Sequence, residues 1–374
     1  MNFDFSDEQK QLRDEARKFL TARCSPTAVR AILEGPEPYD RALYQGLGEM
    51  GFLGAAIPEE FGGVGLGHLE LCVIAEELGR ANAPVPMLSS IYLVAEALML
   101  SGTAAQKAAW LPELASGAAV GCLASSEGVG RVTERSIKAQ VANGKLSGVK
   151  MPVADGDIAD VAIVAARSGQ GVSLYLVDLS GPGVSREALE SIDPTRSQAR
   201  ISFEGAEAQL LGEAGQGWRL LSDLLDRAAV LTAFEQVGGS DRALEMARDY
   251  ALERMAFGRQ VGSFQAVKHM LADMYVAATL ARSNAYYGAW ALSTGSAELP
   301  VAAATARISA GQGFQHCAKN NIQVHGGMGF TWAFDCHLYY RRANGLALAL
   351  GSQSTWEDLL IERMRRRNDA PVAA

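Results

Sequence analysis

The 374-residue chain lacks the signatures of several large protein classes. No apolar run reaches the roughly 20 residues that a membrane-spanning helix needs, so no membrane span is expected. The five cysteines, Cys24, Cys72, Cys122, Cys317 and Cys336, are scattered and form no Cys-x-x-Cys pair. That argues against a disulfide framework or a thiolate zinc site and fits buried free thiols in a reducing compartment. The five histidines contain no pair at metal-ligand spacing, and Glu-x-x-His occurs nowhere, so no metal site is expected. No basic stretch interleaves with aromatics and the net charge is −8, which makes nucleic acid an unexpected partner. The opening residues are acidic, unlike a secretory signal or transit peptide. The expectation is a cytoplasmic protein.

What is present is an ordinary globular composition, 48% apolar and 20% charged, on a chain longer than one core usually serves. Ser6 and Gln9 form a capping-box pattern, and Leu12, Ala16, Phe19 and Leu20 follow at helical spacing. Residues 69–84, 88–101 and 103–116 read as further helices, with loops rich in Gly and Pro at 35–39 and 58–67. Near Val120 the pattern changes to short β-like runs at 145–149, 161–166, 172–177 and 199–203, with Asn143-Gly144 as a turn signal. Helical periodicity returns from Gly217, with candidates at 229–257, 267–293, 300–323 and 334–366. The first is interrupted only by Gly238-Gly239. The tail from 365 to 374 is expected to fray. The predicted class is α+β multidomain: an N-terminal α-helical domain (1–118), a middle β-barrel or sandwich domain (119–212) and a C-terminal four-helix bundle (213–374).

Two segments of the bundle carry chemistry. In 323–329, Gln-Val-His-Gly-Gly-Met-Gly, a helix ends and Gly326, Gly327 and Gly329 let the backbone turn sharply and be approached closely. Amides freed at such a turn bond phosphate oxygens. Alone, a glycine-rich helix link is the simpler account. In 250–258, Arg254 closes a long helix, where a cation suits the dipole and can also reach a pyrophosphate; Phe257 is placed to pack on a ring.

Arg254-x-x-Phe257-Gly258, then 261–265 with Gln265, then 271–274, then Gln323-x-x-Gly326-Gly327-x-Gly329, and then Arg341 and Ala343 stand in the order and spacing of a known pattern. The sequence resembles the acyl-CoA dehydrogenases along nearly its whole length, including the opening helix and the 58–65 loop. The resemblance implies a tetramer that uses FAD to oxidise an acyl-CoA thioester to the 2,3-enoyl product, and passes electrons to an acceptor flavoprotein. It implies that Arg254, Phe257 and Gln265 contact the pyrophosphate and adenine regions of FAD, and that Gln323, Gly326 and Gly327 contact the adenosine side.

Elsewhere the chain departs from the family. The chemistry needs a carboxylate to take the α-proton. The two positions where the family carries that Glu hold Leu350 and Ala228 here, with Ala229 where an Arg is usual. The family's ring-binding loop aligns with 124–131, Ala-Ser-Ser-Glu-Gly-Val-Gly-Arg, and its Trp-Ile-Thr with Pro152-Val153-Ala154, so an aromatic platform and a hydroxyl are lost. Three accounts follow. The chain is a silent partner in an α2β2 heterotetramer whose other subunit supplies the base. Or it is an active homotetramer with a relocated base, for which Asp226 and Glu235 are the candidates and Glu127 a weaker third. Most helix carboxylates are solvated or paired, which weighs against each. Or it is a scaffold without flavin, which the surviving FAD-side motifs oppose.

Overall fold

The computed structural model describes residues 6–369. The acidic start, 1–5, and the last residues of the expected frayed tail, 370–374, lie outside the described residues.

The helices that precede the strands mostly follow from local signals. Helix α1 (Asp7–Arg23) starts at a capping box: Ser6 Oγ accepts from the Gln9 N–H at 3.2 Å, and Gln9 Oε1 accepts from the Ser6 N–H at 3.0 Å. Helices α2 (Pro26–Glu34) and α3 (Arg41–Glu49) are nine residues each, too short for periodicity to reveal. Helix α4 spans His68–Arg80. The expected helix at 88–101 is a π-helical stretch, Leu88–Ala95, running into α5 (Glu96–Ser101). A second capping box, Thr103 with Gln106, opens α6 (Ala104–Ser116).

The β region is one mixed sheet. Its strands are β1 (Gly121–Ala124), β2 (Gln140–Ala142), β3 (Lys145–Ala154), β4 (Val161–Ser168), β5 (Gly171–Asp178), β6 (Val184–Leu189), β7 (Gln198–Glu207) and β8 (Gln209–Leu211). The order is β6-β7-β3-β2-β4-β5-β8, with β1 parallel to β4. Strands β4 and β5 are nearly continuous buried runs. Asn143 and Gly144, both at positive φ, turn β2 into β3.

The long helices are α7 (Gly217–Glu253), α8 (Gln265–Ser293), α9 (Leu299–His325), α10 (Cys336–Ala349) and α11 (Gln353–Asp369). The fourth expected helix is therefore two. The break lies at Leu350–Ser352, where Gly351 adopts φ +99° and the freed Leu350 carbonyl accepts the Trp356 indole N–H at 3.0 Å.

The chain divides into two compact units. One comprises the described parts of Met1–Val29, Cys72–Ala83 and Ala229–Ala374; the other comprises Arg30–Leu71 and Pro84–Ala228. In the first, Gly238-Gly239 do not interrupt α7. They let neighbours approach, since a Cβ on Gly238 would lie 1.8 Å from the Glu76 carbonyl oxygen and one on Gly239 would lie 2.4 Å from the Phe314 ring. Small residues, among them Ala243, Ala247, Ala251, Ala278 and Cys317, build the core shared by α7, α8 and α9.

Among the described residues no helix is long and apolar enough to cross a membrane, and no group of three or more His, Cys, Asp or Glu side chains is placed to hold a metal ion. All five cysteines are unbridged and buried. Burial pushes the Cys317 and Cys336 thiols up to about 12, so both stay protonated.

Candidate functional site

Arg254 directly follows the last residue of α7, and its N–H donates to the Tyr250 carbonyl at 2.9 Å. The chain then makes a two-residue turn. Strands β9 (Met255–Ala256) and β10 (Arg259–Gln260) pair around Phe257 and Gly258, both at positive φ. The turn carries Phe257 outward, 94% exposed, with only an edge contact to Phe264 at 6.2 Å. Arg259 lies 3.9 Å over the Phe264 ring and stiffens the base of the hairpin. The Arg254 side chain is exposed and has no ion-pair or hydrogen-bond partner among the described residues. Gln265, also exposed, is the first residue of α8.

The second segment closes α9. The Gly326 N–H caps the helix by donating to the Gln323 carbonyl, and Gly326 takes φ +59°, ψ −139°, a backbone state that disfavours any Cβ. A Cβ built on Gly326 or Gly327 would meet nothing within 4 Å, so this turn opens onto free space. Gly329 differs: a Cβ there would lie 2.5 Å from the Ile322 carbonyl oxygen. Gln323 is exposed, and the exposed apolar side chains of Met328, Phe330 and Trp332 follow.

Aromatic contacts join the two segments. Tyr250, one turn before Arg254, stacks on His325 with ring centroids 4.1 Å apart, and Phe334 meets both rings edge-on at 5.9 and 5.5 Å. His325 Nδ1 lies 2.8 Å from the Asn321 carbonyl, which only accepts, so Nδ1 carries the proton. Burial lowers the His325 pKa, the Asn321 bond offsets this in part, and the ring is neutral at pH 7.

The 124–131 and 152–154 segments present a different picture. Glu127 Oε1 accepts from the Ala139 N–H at 3.0 Å and from Lys150 Nζ at 2.6 Å; Oε2 accepts from the Lys138 N–H at 2.8 Å. Lys150 is fully buried. The Met151 N–H donates to the Ser126 carbonyl at 3.0 Å. The loop is thus bound to β3 by its own acidic residue. Burial alone would raise the Glu127 pKa, but the bonds from Lys150, Ala139 and Lys138 outweigh it and hold the carboxyl below the usual range. Val153 is buried, and neither segment contains an aromatic side chain.

The candidate bases are enclosed. Glu235 is 0% exposed, and its Oε1 accepts from Arg342 Nη1 at 3.4 Å. Arg342, also fully buried, donates to the carbonyls of Ala83 and Asn82 as well. Arg307 lies nearby, donating to Gln236 Oε1 at 2.8 Å; burial lowers its pKa to about 10, with Glu235 opposing. Glu235 therefore acts as counter-charge to buried arginines, a job that competes with proton abstraction. Asp226 is 3% exposed. Ala228 and Leu350, where the resemblance leads one to expect a carboxylate, are buried.

Comparison with known proteins places these segments. Residues 6–118 match the acyl-CoA dehydrogenase N-terminal domain and residues 215–364 the acyl-CoA dehydrogenase C-terminal domain. The chain belongs to the acyl-CoA dehydrogenase family. The acyl-CoA dehydrogenase IpdE2 of Mycobacterium tuberculosis is 35% identical, over 92% of this chain and 94% of its own. Among solved structures, a chain of a variant of the Tcur3481-Tcur3483 steroid ACAD is 30% identical with TM-score 0.89, covering 97% of this chain and 99% of that one. A chain of the ChsE4-ChsE5 complex of M. tuberculosis is 28% identical with TM-score 0.88, and the match covers both chains fully.

Members of this family bind FAD, so the fit of each segment to that group can be judged. The Arg254 hairpin and the Gly326-Gly327 turn suit a nucleotide: an unpaired cation, an exposed ring and an open turn of backbone amides. The 124–131 and 152–154 segments suit an isoalloxazine poorly, since they offer no aromatic face and Glu127 is engaged internally. The sequence singled out Arg254, Phe257, Gln265, Gln323, Gly326 and Gly327 but missed the Tyr250–His325–Phe334 stack. Tyr250 lies four residues before Arg254 and His325 immediately before Gly326, and those offsets were the available signals. The Glu127–Lys150 pair joins residues 23 apart and left no such local trace.

Proposed function

We propose that this acyl-CoA dehydrogenase family chain is one subunit type of an α2β2 heterotetramer, holding the nucleotide end of FAD while the other subunit type supplies the catalytic base. One contrast carries this reading: Arg254 is exposed and unpaired, whereas Glu127 and Glu235 are tied to buried cations and Asp226 is enclosed. FAD, when bound, accepts the hydride that leaves the β-carbon of the acyl-CoA thioester. The exposed Arg254 guanidinium would hold the pyrophosphate, and the open backbone at Gly326 and Gly327 would let the adenosine side approach closely. Phe257 and Gln265 cover the adenine region, and Gln323 donates from the end of α9. Reduced complex is reoxidised by an acceptor flavoprotein. The steroid ACAD among the similar structures supports a bulky polycyclic acyl group.

Asp226→Asn in the assembled complex tests the assignment of the base. Turnover near wild type is expected. A loss of about 100-fold or more, with the complex intact and flavin retained, makes Asp226 the base and overturns the assignment.

A further inference from the structure

Tyr250 and His325 lie within the two segments, 250–258 and 323–329, and Phe334 follows the second; none of the three is among the residues assigned to the nucleotide. Tyr250 is in the last turn of α7, from which the Arg254 hairpin departs. His325 is the last residue of α9, immediately before Gly326. Phe334 lies in the link that carries the chain from the Gly326–Phe330 turn to α10. The three rings form a closed set: one stacked pair at 4.1 Å and two edge contacts, at 5.9 and 5.5 Å. Ala251, Val261 and Val324 already join the two helix ends in one apolar cluster, and the three rings extend that join out to the exposed turns, which otherwise open locally.

We propose that the Tyr250–His325–Phe334 stack is a positioning device that locks the Arg254 hairpin to the Gly326-Gly327 turn, so that both halves of the grip meet the flavin nucleotide as one rigid body. This rests on the nucleotide reading of those segments given above. Three details of the stack agree with a locking role. His325 is fixed at its outer edge by the Nδ1–H bond to the Asn321 carbonyl, so the ring has one orientation. The ring is held neutral by burial, so the stack on Tyr250 encloses no unpaired charge. The Tyr250 side chain has no hydrogen-bond partner among the described residues, so its contribution is the ring and not the hydroxyl. A preformed grip gains affinity because less ordering remains to be done on binding.

The test uses the full chain carrying Tyr250→Leu, with Tyr250→Phe as the conservative control. Amide exchange is measured in 254–264 and 326–334 without ligand, and FAD affinity by titration of the complex assembled with the second chain type. Tyr250→Leu is expected to speed exchange in both segments together and to weaken FAD by roughly five-fold, the scale of one lost aromatic pair. Tyr250→Phe is expected to restore wild-type behaviour in both. Exchange that rises in only one segment, or in neither, overturns the proposal. So does Tyr250→Phe failing to rescue. Coupled exchange with unchanged FAD affinity also overturns it, provided that Arg254→Ala weakens FAD. If Arg254→Ala itself leaves FAD binding unchanged, the nucleotide reading fails separately, and the exchange arm still decides the coupling.

Discussion

Arg254 and Glu127 mark two regions of this chain whose charges are held differently. Arg254 stands at a helix end with no side-chain partner among the described residues, beside an exposed Phe257 and a turn that opens onto free space. Glu127 sits in the loop aligned with the flavin-ring site and is consumed by it: two backbone amides and the buried Lys150 occupy its oxygens. A charge left free is available to a ligand, whereas a charge bonded on all sides stabilises the fold. The 124–131 loop thus closes on its own acidic residue and offers no free charge to a ligand.

The largest expected effect tests whether an enclosed carboxylate is structural. Glu235→Ala leaves Arg342 buried beside a missing counter-charge, and urea unfolding should show a loss of about 3–5 kcal/mol. Unchanged stability with abolished turnover would return Glu235 to catalysis. Glu127→Ala should cost about 3 kcal/mol for the same reason, since it strands Lys150. The double change Glu127→Ala, Lys150→Met should recover much of that loss, measured by the same unfolding curves. No recovery would mean that the pair is not what binds the loop to β3.

On the nucleotide side the effects are on binding and not on folding. Arg254→Ala should weaken FAD retention by about 1.5–3 kcal/mol, the range for a hydrogen bond to a charged group, and leave the melting curve unchanged because the side chain is exposed. Wild-type retention would remove Arg254 from the site.

The smallest effect separates the two regions by acid. The folded His325 pKa is depressed below its ordinary 6.5, so the unfolded chain takes up that proton first and the associated stability is lost as pH falls below 6.5. The folded Glu127 pKa is depressed below its ordinary 4.5, so its stability is present above 4.5 and is lost only as pH falls further. Amide exchange followed from pH 7.5 to 4, reduced to opening rates, should loosen 326–334 before 124–131. The reverse order would contradict the assignment of these two groups as local anchors.

Much of this was legible in the sequence, for identifiable reasons. The helix starts at Ser6 and Thr103 rest on contacts three residues apart, which a pattern can display. Strands β4 and β5 announce themselves as apolar runs, unbroken over 161–166 and interrupted over 172–177 by Ser173. Strands β1, β2 and β8 are three or four residues long, and β6 reads Val-Ser-Arg-Glu-Ala-Leu, so none carried enough pattern to be seen. Gly238-Gly239 suggested an interruption in α7 because their purpose, close approach of the Glu76 backbone and the Phe314 ring, lies in other elements. The exposed residues proposed to hold the nucleotide were singled out through family spacing. Their supporting stack was not, since Tyr250 and His325 meet only once α7 and α9 are placed side by side.

The central claim is that this chain grips the nucleotide end of a flavin whose ring site and base belong to a second chain type. The most direct test is the visible absorption spectrum of the purified chain, alone and after co-expression with an acyl-CoA dehydrogenase chain that carries the catalytic Glu. The account predicts a colourless, inactive protein alone, and a yellow complex that oxidises acyl-CoA once both chains are present. Stoichiometric flavin and acyl-CoA turnover by this chain on its own would contradict it.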